Sequence, residues 1–251
     1  MTSEDRRAAL EAIASEIRVC DRCPLSQTRT HAVPGEGDPD TEVVLVGEGP
    51  GQREDQSGRP FVGAAGTLLA ELLGMIEWDR EDVFITNVVK CRPPGNRDPE
   101  PSEIEACAPF LKRQLEVIDP ALLVTLGRFS LQTFMPGDRI GRVHGTERPL
   151  DPATGARAAT GYAMYHPAAA LRQASLKETM QRDMAAVPDA LLRARARRVD
   201  TTPAAPDSTP APADGLADDP MPADVMTAGA IDGADPDPTN DEVPDDQLGL
   251  F

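Results

Sequence analysis

The sequence predicts an α/β fold built on a mostly parallel sheet of four strands. Four short apolar runs, at 42–46, 83–86, 121–126 and 160–165, have the composition of buried strands. Helical patterns separate these runs, and this alternation is typical of parallel sheets. Each run also continues directly into a polar or glycine-containing loop, which indicates a binding site beyond the strand ends.

The first predicted element is a helix over residues 3–18. Ser3 is its expected N-cap, and Glu4 and Asp5 favour the positive end of the helix dipole. Apolar residues recur on one helical stripe, so this helix is expected to pack on the sheet and to end just before Cys20.

Each predicted strand leads into one of four candidate site loops. Because the carboxyl ends of parallel strands meet at one edge of a sheet, we expect the loops to converge there. In chain order they are Gly47-Glu48-Gly49-Pro50-Gly51, Asn87, Gly127-Arg128 and His166-Pro167.

The charge of the chain is unevenly distributed. The 251 residues include 42 acidic and 25 basic side chains, for a net charge of −17. Residues 200–251 contain 13 acidic residues, nine prolines and no Lys or Arg. We therefore expect a folded domain over 1–199, close to neutral, and a disordered acidic tail over 200–251. Overall acidity does not exclude nucleic acid as a partner of the folded domain.

The sequence lacks the features of a membrane or secreted protein. No apolar run approaches the ~20 residues of a membrane span, and the N-terminal region has no apolar signal core. We expect a cytoplasmic protein that makes no membrane contact. In a reducing compartment, its four cysteines are expected to be metal ligands or free thiols rather than disulfides.

The cysteines follow the pattern C-x2-C, then two separated positions. This use of all four thiols suits a tetrahedral site for an iron–sulfur cluster or zinc, and the single close pair favours iron–sulfur. Buried or incidental thiols are the alternative. The four candidates are Cys20, Cys23, Cys91 and Cys107.

Four segments together resemble the family 4 uracil-DNA glycosylases, the iron–sulfur members of the uracil-DNA glycosylase superfamily. The resemblance spans roughly residues 20–183, and the motifs occur in the order of the family. The segments are Gly47-Glu48-Gly49-Pro50-Gly51-Gln52-Arg53-Glu54-Asp55, Gly58-Arg59-Pro60-Phe61-Val62-Gly63, Thr86-Asn87-Val88-Val89-Lys90-Cys91-Arg92-Pro93-Pro94 and His166-Pro167-Ala168-Ala169.

The resemblance implies a three-layer α/β/α glycosylase fold with a [4Fe–4S] cluster on Cys20, Cys23, Cys91 and Cys107. It also implies removal of uracil from DNA in base excision repair, by a monomer associated with the nucleoid. Neither an obvious lysine nucleophile nor the insertion of a covalent-trapping relative occurs in the sequence. The expected enzyme is therefore monofunctional and forms no covalent bond to DNA.

Three side chains resemble the uracil-binding residues of the family. His166 corresponds to the donor to uracil O2, and Asn87 can pair with the O4 and N3–H edge of the base. Phe61 corresponds to the aromatic face on which uracil stacks. Taken singly, each has a structural alternative: His166 and Asn87 could cap strand ends, and Phe61 could be a core residue.

The first motif contributes three further candidates. By resemblance, Glu54 lies near C5 of the base, where it could exclude thymine, and Glu48 could influence the attacking water or the sugar cation. Gly49 leaves the backbone open to the base. The family often has Ala at position 49, and no residue here directly replaces the water-orienting Asp of the better-known family. Either glutamate could instead cap a helix beginning near Gly51.

Two loops are candidates for DNA contact. Leu171 is the candidate for the apolar wedge that the superfamily inserts into the minor groove, with Arg172 and Lys177 near phosphates. The alternative is an ordinary helix start with Leu171 buried. A second basic loop could also contact DNA or simply be solvated; it contains Arg139, Arg142, His144 and Arg148.

The last five residues resemble the pentapeptide QLxLF that binds bacterial sliding clamps. A flexible tail would carry this peptide about 35–40 Å from the domain, so we expect the replication clamp as a second partner. A chance match is the alternative. The residues concerned are Gln247, Leu248, Leu250 and Phe251.

Two other functions fit part of this pattern. A metal-stabilised DNA-binding module could use the same pocket to sense uracil without cleavage. A related glycosylase could accept a broader range of deaminated bases, including hypoxanthine or xanthine. Asn87 favours uracil without excluding these bases.

Overall fold

The computed structural model describes residues 1–201, which contain a single mixed sheet flanked by helices on both faces. Six strands lie in the order β1-β3-β2-β4-β6-β5. Their bounds are β1 Glu36–Gly37, β2 Val43–Gly47, β3 Phe84–Asn87, β4 Leu122–Leu126, β5 Glu147–Arg148 and β6 Thr160–Met164.

The four predicted strands form the centre of this sheet and are parallel to one another. The predicted mostly parallel α/β architecture is therefore confirmed. The number of strands differs, because β1 and β5 add short antiparallel edges beside β3 and β6. Each edge strand has only two residues, which is too short to produce a recognisable alternation in the sequence.

Helices cover both faces of the sheet. Strand residues alternate between the two sides, and each side has its own apolar cluster. Helices α1, α4 and α5 contribute to one cluster, and α3, α8 and α9 contribute to the other. The bounds are α1 Ser3–Val19, α2 Gln52–Ser57, α3 Ala64–Met75, α4 Pro101–Ile118, α5 Arg128–Phe134, α6 Ile140–Val143, α7 Pro167–Arg172, α8 Ser175–Ala185 and α9 Val187–Thr201.

Helix α1 starts as predicted but is capped by a different residue. Thr2, not Ser3, is the N-cap: its hydroxyl accepts a hydrogen bond from Asp5 N at 3.2 Å, and its own N–H donates to Asp5 Oδ2 at 3.1 Å. This reciprocal pair satisfies two amide groups at the helix start. The helix delivers the chain to Cys20, its C-cap.

The parallel strands bring the four predicted loops to one edge of the sheet, where Gly127 follows β4 as the N-cap of α5. Gly47 ends β2, Asn87 ends β3, and His166 follows β6 as the N-cap of α7.

The tail predicted over 200–251 lies, apart from its first two residues, outside the described residues, and so do Gln247, Leu248, Leu250 and Phe251. Within residues 1–201, no helix is both long and apolar enough to cross a membrane.

Candidate active site

A cavity of about 210 Å³ lies at the carboxyl edge of the parallel strands. Side chains from three predicted segments, Phe61, Asn87 and His166, line it together. The first motif and the start of α3 complete the wall with Gly49, Gly51, Gln52, Arg53, Glu54, Gly63, Ala64 and Ala65. Residues far apart in the sequence thus meet at one place, and this place is where the strand order predicted a site.

His166 presents a neutral imidazole to this cavity. Its Nδ1 accepts a hydrogen bond from Ala168 N at 3.1 Å, so the ring proton lies on Nε2. Burial, reinforced by the positive charge of Arg172, lowers the pKa of His166 to about 4. At neutral pH the ring is therefore uncharged and donates through Nε2.

Asn87 has an unsatisfied acceptor. The side chain is 1% exposed, and its Oδ1 has no hydrogen-bond partner among residues 1–201. A buried polar oxygen left in this state is costly unless a ligand supplies a donor. Gly47 makes room for it, because a Cβ at that position would lie 2.3 Å from Asn87 Oδ1 and 2.6 Å from Phe61 Cζ.

Phe61 is held in a left-handed conformation with φ of 50°. A bulky side chain rarely adopts this conformation, so the surrounding contacts must compensate for the strain. Arg80 provides two of these contacts, donating to Phe61 O at 2.9 Å and to Pro60 O at 2.7 Å. The Phe61 ring then stacks on His166, with ring centroids 5.6 Å apart and an interplanar angle of 28°.

The four cysteines converge at a second, smaller cavity. Cys20, Cys23, Cys91 and Cys107 all line it. Two N–H groups point at the sulfurs: Arg29 Nη1 lies 3.1 Å from Cys91 Sγ, and the backbone N of Lys90 lies 3.3 Å from Cys107 Sγ. Such N–H···S contacts are typical of thiolates that bind iron–sulfur clusters.

Four thiols lining one cavity are a donor set that fits an iron–sulfur cluster or zinc. Burial raises the pKa of the Cys91 thiol above its ordinary value, and burial raises the pKa of the Cys107 thiol to about 11, so both would be protonated in the absence of a cation. In residues 1–201, no group of three or more His, Cys, Asp or Glu side chains meets the geometry of a single metal ion.

Comparison with known proteins places the chain in a family. A family model described as "Uracil DNA glycosylase superfamily" matches residues 34–187. The chain belongs to the uracil-DNA glycosylase superfamily. The family predicted from the motifs is therefore confirmed.

Several proteins similar to the chain are named type-4 uracil-DNA glycosylases. The protein of Saccharolobus solfataricus is 45% identical over 193 residues, covering 72% of this chain and 86% of its own. That of Archaeoglobus fulgidus is 46% identical over 184 residues, covering 70% and 89%. That of Thermotoga maritima is 45% identical over 170 residues, covering 68% and 87%.

Glu54 has a structural role in this glycosylase domain that the sequence did not reveal. Its Oε1 accepts hydrogen bonds from Val62 N at 2.8 Å and from Gly63 N at 2.7 Å. It therefore holds the loop that leads into α3 and does not cap the helix that begins after Gly51. Glu54 also lines the cavity. The same carboxylate therefore holds the Phe61 loop and forms part of the cavity wall.

Glu48 lies next to the cavity but is not one of its lining residues. Its Oε1 accepts a hydrogen bond from Phe129 N at 3.0 Å, at the start of α5, whereas Oε2 has no partner among the described residues. Burial raises the pKa of Glu48 to about 7, against the opposing effects of the Phe129 hydrogen bond and of Arg128. Glu48 and His166 flank Gly127, where a Cβ would lie 2.4 Å from Glu48 Oε1 and 3.0 Å from His166 Cβ.

Gly49 lies against the segment that follows β3. A Cβ at this position would be 2.9 Å from Val89 Cγ2, so a larger residue would require Val89 to move. The glycine keeps the backbone of the first motif against this segment and on the cavity wall.

The predicted DNA-contacting segment projects from the domain. Leu171 is 54% exposed, whereas its neighbour Ala170 is 7% exposed. The alternative is therefore wrong about the burial of Leu171, although the residue does lie in a helix, α7. Arg172 is also exposed, and Lys177 forms an ion pair with Glu71 at 3.2 Å.

The second basic loop is partly occupied by internal contacts. His144 Nδ1 lies 2.9 Å from Asp183 Oδ2, and Arg148 lies 3.6 Å from the carboxylate of Asp138. Arg139 and Arg142 are exposed. The most exposed of the candidates in this loop are therefore arginines and not His144.

Two residues that support the site were not predicted from the sequence. Arg80 acts on Phe61 from 19 positions further along the chain, and no local pattern indicates that contact. Lys90 is buried and donates from Nζ to Asn87 O at 2.8 Å. A signal existed for Lys90, since it lies between Asn87 and Cys91 within one motif.

Proposed function

We propose that this protein is a monofunctional DNA-repair glycosylase that flips uracil out of DNA and hydrolyses its N-glycosidic bond, leaving an abasic site. The observation that carries this proposal is the convergence of Phe61, Asn87 and His166 on one cavity in a chain of the uracil-DNA glycosylase superfamily. A flipped base needs such a pocket, because its glycosidic bond is inaccessible within the stack.

The reaction separates charge, and His166 is placed to stabilise the leaving group. The bond between C1′ and uracil N1 breaks with its electron pair remaining on the base. Negative charge therefore develops at uracil O2 while the sugar becomes cationic. The Nε2–H of neutral His166 donates to O2. Water then adds to C1′ and loses a proton, and the uracil anion takes up a proton.

Asn87 selects the base through its amide. Oδ1, which lacks a partner among residues 1–201, accepts from uracil N3–H, and the amide NH₂ donates to O4. Cytosine presents an acceptor at N3 and a donor at C4, so the same amide orientation rejects it. Phe61 supplies the stacking surface, which contributes about 1–3 kcal/mol per base.

The two carboxylates act at opposite sides of the base. Glu54 lines the cavity and excludes the methyl group of thymine near C5. Glu48, ionised above its raised pKa of about 7, stabilises the sugar cation or orients the attacking water. Gly49 lets the first-motif backbone approach the base.

Leu171 and Arg172 are proposed to contact DNA around the flipped nucleotide. The exposed Leu171 fills the space that the base leaves in the stack, as apolar wedges do in minor-groove proteins. Arg172 binds a nearby phosphate. A protein with this substrate would be expected in the cytoplasm, associated with the nucleoid.

The four cysteines are proposed to hold a [4Fe–4S] cluster. This proposal is supported by the one cavity that Cys20, Cys23, Cys91 and Cys107 line together, and by the N–H groups directed at two of the sulfurs. The cluster would cross-link the end of α1 to the segment after β3 and to α4. Its role is structural, and no step of the reaction passes through it.

The C-terminal pentapeptide is proposed to bind a replication sliding clamp. Gln247 would make polar contacts, and Leu248, Leu250 and Phe251 would supply the apolar anchors. Deleting residues 247–251 should abolish clamp binding and leave excision from short oligonucleotides unchanged. Equal clamp affinity of the truncated protein would contradict this proposal.

The activity is tested by incubating the iron-containing protein with oligonucleotides that carry one uracil, cytosine or thymine. We expect release of free uracil alone and an alkali-labile site at the uracil position. Asn87→Ala and His166→Ala should each lower the rate by at least about a hundredfold, and His166→Ala should spare folding. Uracil binding without release by the wild-type protein would instead indicate a non-catalytic sensor.

A further inference from the structure

Lys90 is a buried amine whose side chain contacts Asn87 rather than a carboxylate. The residue is 1% exposed. Its Nζ donates to two neutral oxygens, Thr86 Oγ1 at 2.6 Å and the backbone carbonyl of Asn87 at 2.8 Å. Both acceptors belong to the last two residues of β3, so Lys90 reaches back to the strand end that carries the base-reading amide.

The presence of an amine at this buried position is not explained by a contribution to stability. Removing a cation from water costs several kcal/mol, and apolar residues of similar volume often replace buried charges without loss of stability. A methionine would fill the same space. The amine therefore indicates a requirement for its hydrogen bonds.

The hydrogen bonds of Lys90 form part of a fixed network around β3. Thr86 Oγ1 donates to Pro34 O at 2.9 Å, and the backbone O of Lys90 accepts from Val33 N at 2.7 Å. Gln114 reaches the same carbonyl, Pro34 O, from α4 at 2.9 Å. Lys90 is thus anchored through its backbone and its side chain, and the Asn87 carbonyl is tied to a rigid part of the core.

Holding this carbonyl fixes the direction of the Asn87 side chain. Asn87 is the last residue of β3, and the peptide group between Asn87 and Val88 is held on two sides: Val88 N donates to Gly47 O at 3.0 Å, and the Asn87 carbonyl accepts from Lys90 Nζ. Its Oδ1 has no hydrogen-bond partner among residues 1–201. Without the Lys90 hydrogen bond, this peptide group would be held on its N–H side alone, so its tilt and the direction of the Asn87 side chain would be less tightly fixed in the orientation that uracil requires.

We propose that Lys90 is a positioning residue for base recognition, which acts through Asn87 by holding its backbone carbonyl. This inference rests on the proposed role of Asn87 in reading uracil. It predicts that the effect of removing the amine depends on the presence of the Asn87 amide.

The test is a double-mutant cycle in the full-length, iron-containing protein with Lys90→Met and Asn87→Ala. Two quantities are measured: the single-turnover rate on a uracil oligonucleotide and the inhibition constant of free uracil. Lys90→Met alone should lower the rate and weaken uracil inhibition by about tenfold to a hundredfold. In the Asn87→Ala background, Lys90→Met should change the rate less than twofold. The unfolding midpoint of the Lys90→Met single variant should equal or exceed that of the wild type.

Gln114→Met is the matched control. It removes a buried hydrogen bond to Pro34 O from the same network without touching Asn87. We expect it to leave the rate and the uracil inhibition constant unchanged. An effect of Gln114→Met as large as that of Lys90→Met would overturn the proposal, since general loosening of the core would then explain both.

The outcomes separate this inference from the function on which it rests. If Asn87→Ala itself leaves rate and inhibition unchanged, the proposed role of Asn87 fails. If Asn87→Ala is impaired but Lys90→Met has no effect, or has the same effect in both backgrounds, the positioning role fails. If Lys90→Met loses iron, Thr86→Val replaces it in the cycle, because this variant removes the other acceptor of Nζ. An effect of Thr86→Val no larger than that of Gln114→Met would contradict the proposal.

Discussion

His166 and Glu48 both lie next to Gly127, and their pKa values are shifted in directions that suit different tasks. Burial lowers the pKa of His166 to about 4 and raises that of Glu48 to about 7. A base and an acid buried together are both driven towards their neutral forms. At pH 8 the site therefore combines a neutral imidazole donor with a carboxylate that is mostly ionised.

Glu48→Gln should remove a pH dependence from the excision rate. If ionised Glu48 stabilises the sugar cation, the single-turnover rate of the wild type rises with pH through about 7 and levels off above it. His166 does not disturb this range, since its pKa of about 4 lies well below. Glu48→Gln should give a low rate with a flat profile between pH 6 and 8. A variant that keeps the same rise would show that another group titrates.

The same Glu48 titration should affect stability. The folded pKa of about 7 lies above the ordinary carboxyl value of 4.5, so the folded state binds more protons between these values, and wild-type stability falls as pH rises through this window. Glu48→Gln lacks this contribution. Its unfolding midpoint relative to wild type should therefore increase from pH 5 to pH 8 in thermal unfolding experiments.

Gly47→Ala should obstruct the base pocket. Its Cβ would lie 2.3 Å from Asn87 Oδ1 and 2.6 Å from Phe61 Cζ, so both side chains would have to move. We expect a loss of at least about a hundredfold in the excision rate, because misplacement of about 1 Å has costs of this size. Gly74→Ala is the control: a Cβ there meets nothing within 4 Å, and activity should be unchanged. Equal behaviour of both variants would contradict the placement of the pocket.

At the level of elements, the loop between α2 and α3 is held from two sides. Glu54 accepts from the Val62 and Gly63 amides, and Arg80 donates to the Pro60 and Phe61 carbonyls. Glu36, on β1, holds Arg80 in turn, with 2.9 Å between Oε1 and Nη2. An edge strand of two residues thus contributes to the position of the stacking ring.

Arg80→Met should weaken uracil stacking while leaving the fold intact. Without the two hydrogen bonds to the loop, Phe61 should leave its strained conformation, with φ of 50°, for part of the time. The inhibition constant of free uracil should rise about tenfold, within the value of about 1–3 kcal/mol for base stacking. Arg59→Met is the control, since Arg59 also binds Glu36 but is 62% exposed. Equal effects of both substitutions would contradict the account.

The four central strands were predictable because each is a short, mostly apolar run. The short edges β1 and β5 were not, since two residues show no period. Phe61, Asn87 and His166 were predictable from their motifs. The hydrogen bonds that hold the site in place were harder to predict. They join the side chains of Arg80, Glu48 and Glu54 to backbone groups that are distant in the chain or that come close only through the path of a loop. Hydrogen bonds of this kind leave no residue-type signature.

For the whole molecule, the cysteine cavity joins the N-terminal region to the site-bearing strand. Cys91 and Cys107 belong to the same apolar cluster as α1 and α4, and Asn87 precedes Cys91 by only four positions. A cluster bound there would constrain both the core and the segment that carries the amide proposed to read the base.

Removing iron should therefore reduce stability and activity together. We expect Cys107→Ser to lose visible absorbance and bound iron, with a stability cost of about 2 kcal/mol or more and a fall in Tm of about 4–8 °C. Wild-type protein stripped by a chelator should behave in the same way and recover when iron and sulfide are restored. A variant with full Tm and no iron would show that the cysteines do not support the fold.

A crystal structure of the protein with free uracil tests the proposed base pocket most directly. The predicted result is a uracil ring stacked on Phe61, with O2 at hydrogen-bonding distance from His166 Nε2 and the N3–H and O4 edge on the amide of Asn87. A uracil bound elsewhere on the domain, or bound in this cavity with its O2 turned away from His166, would contradict it.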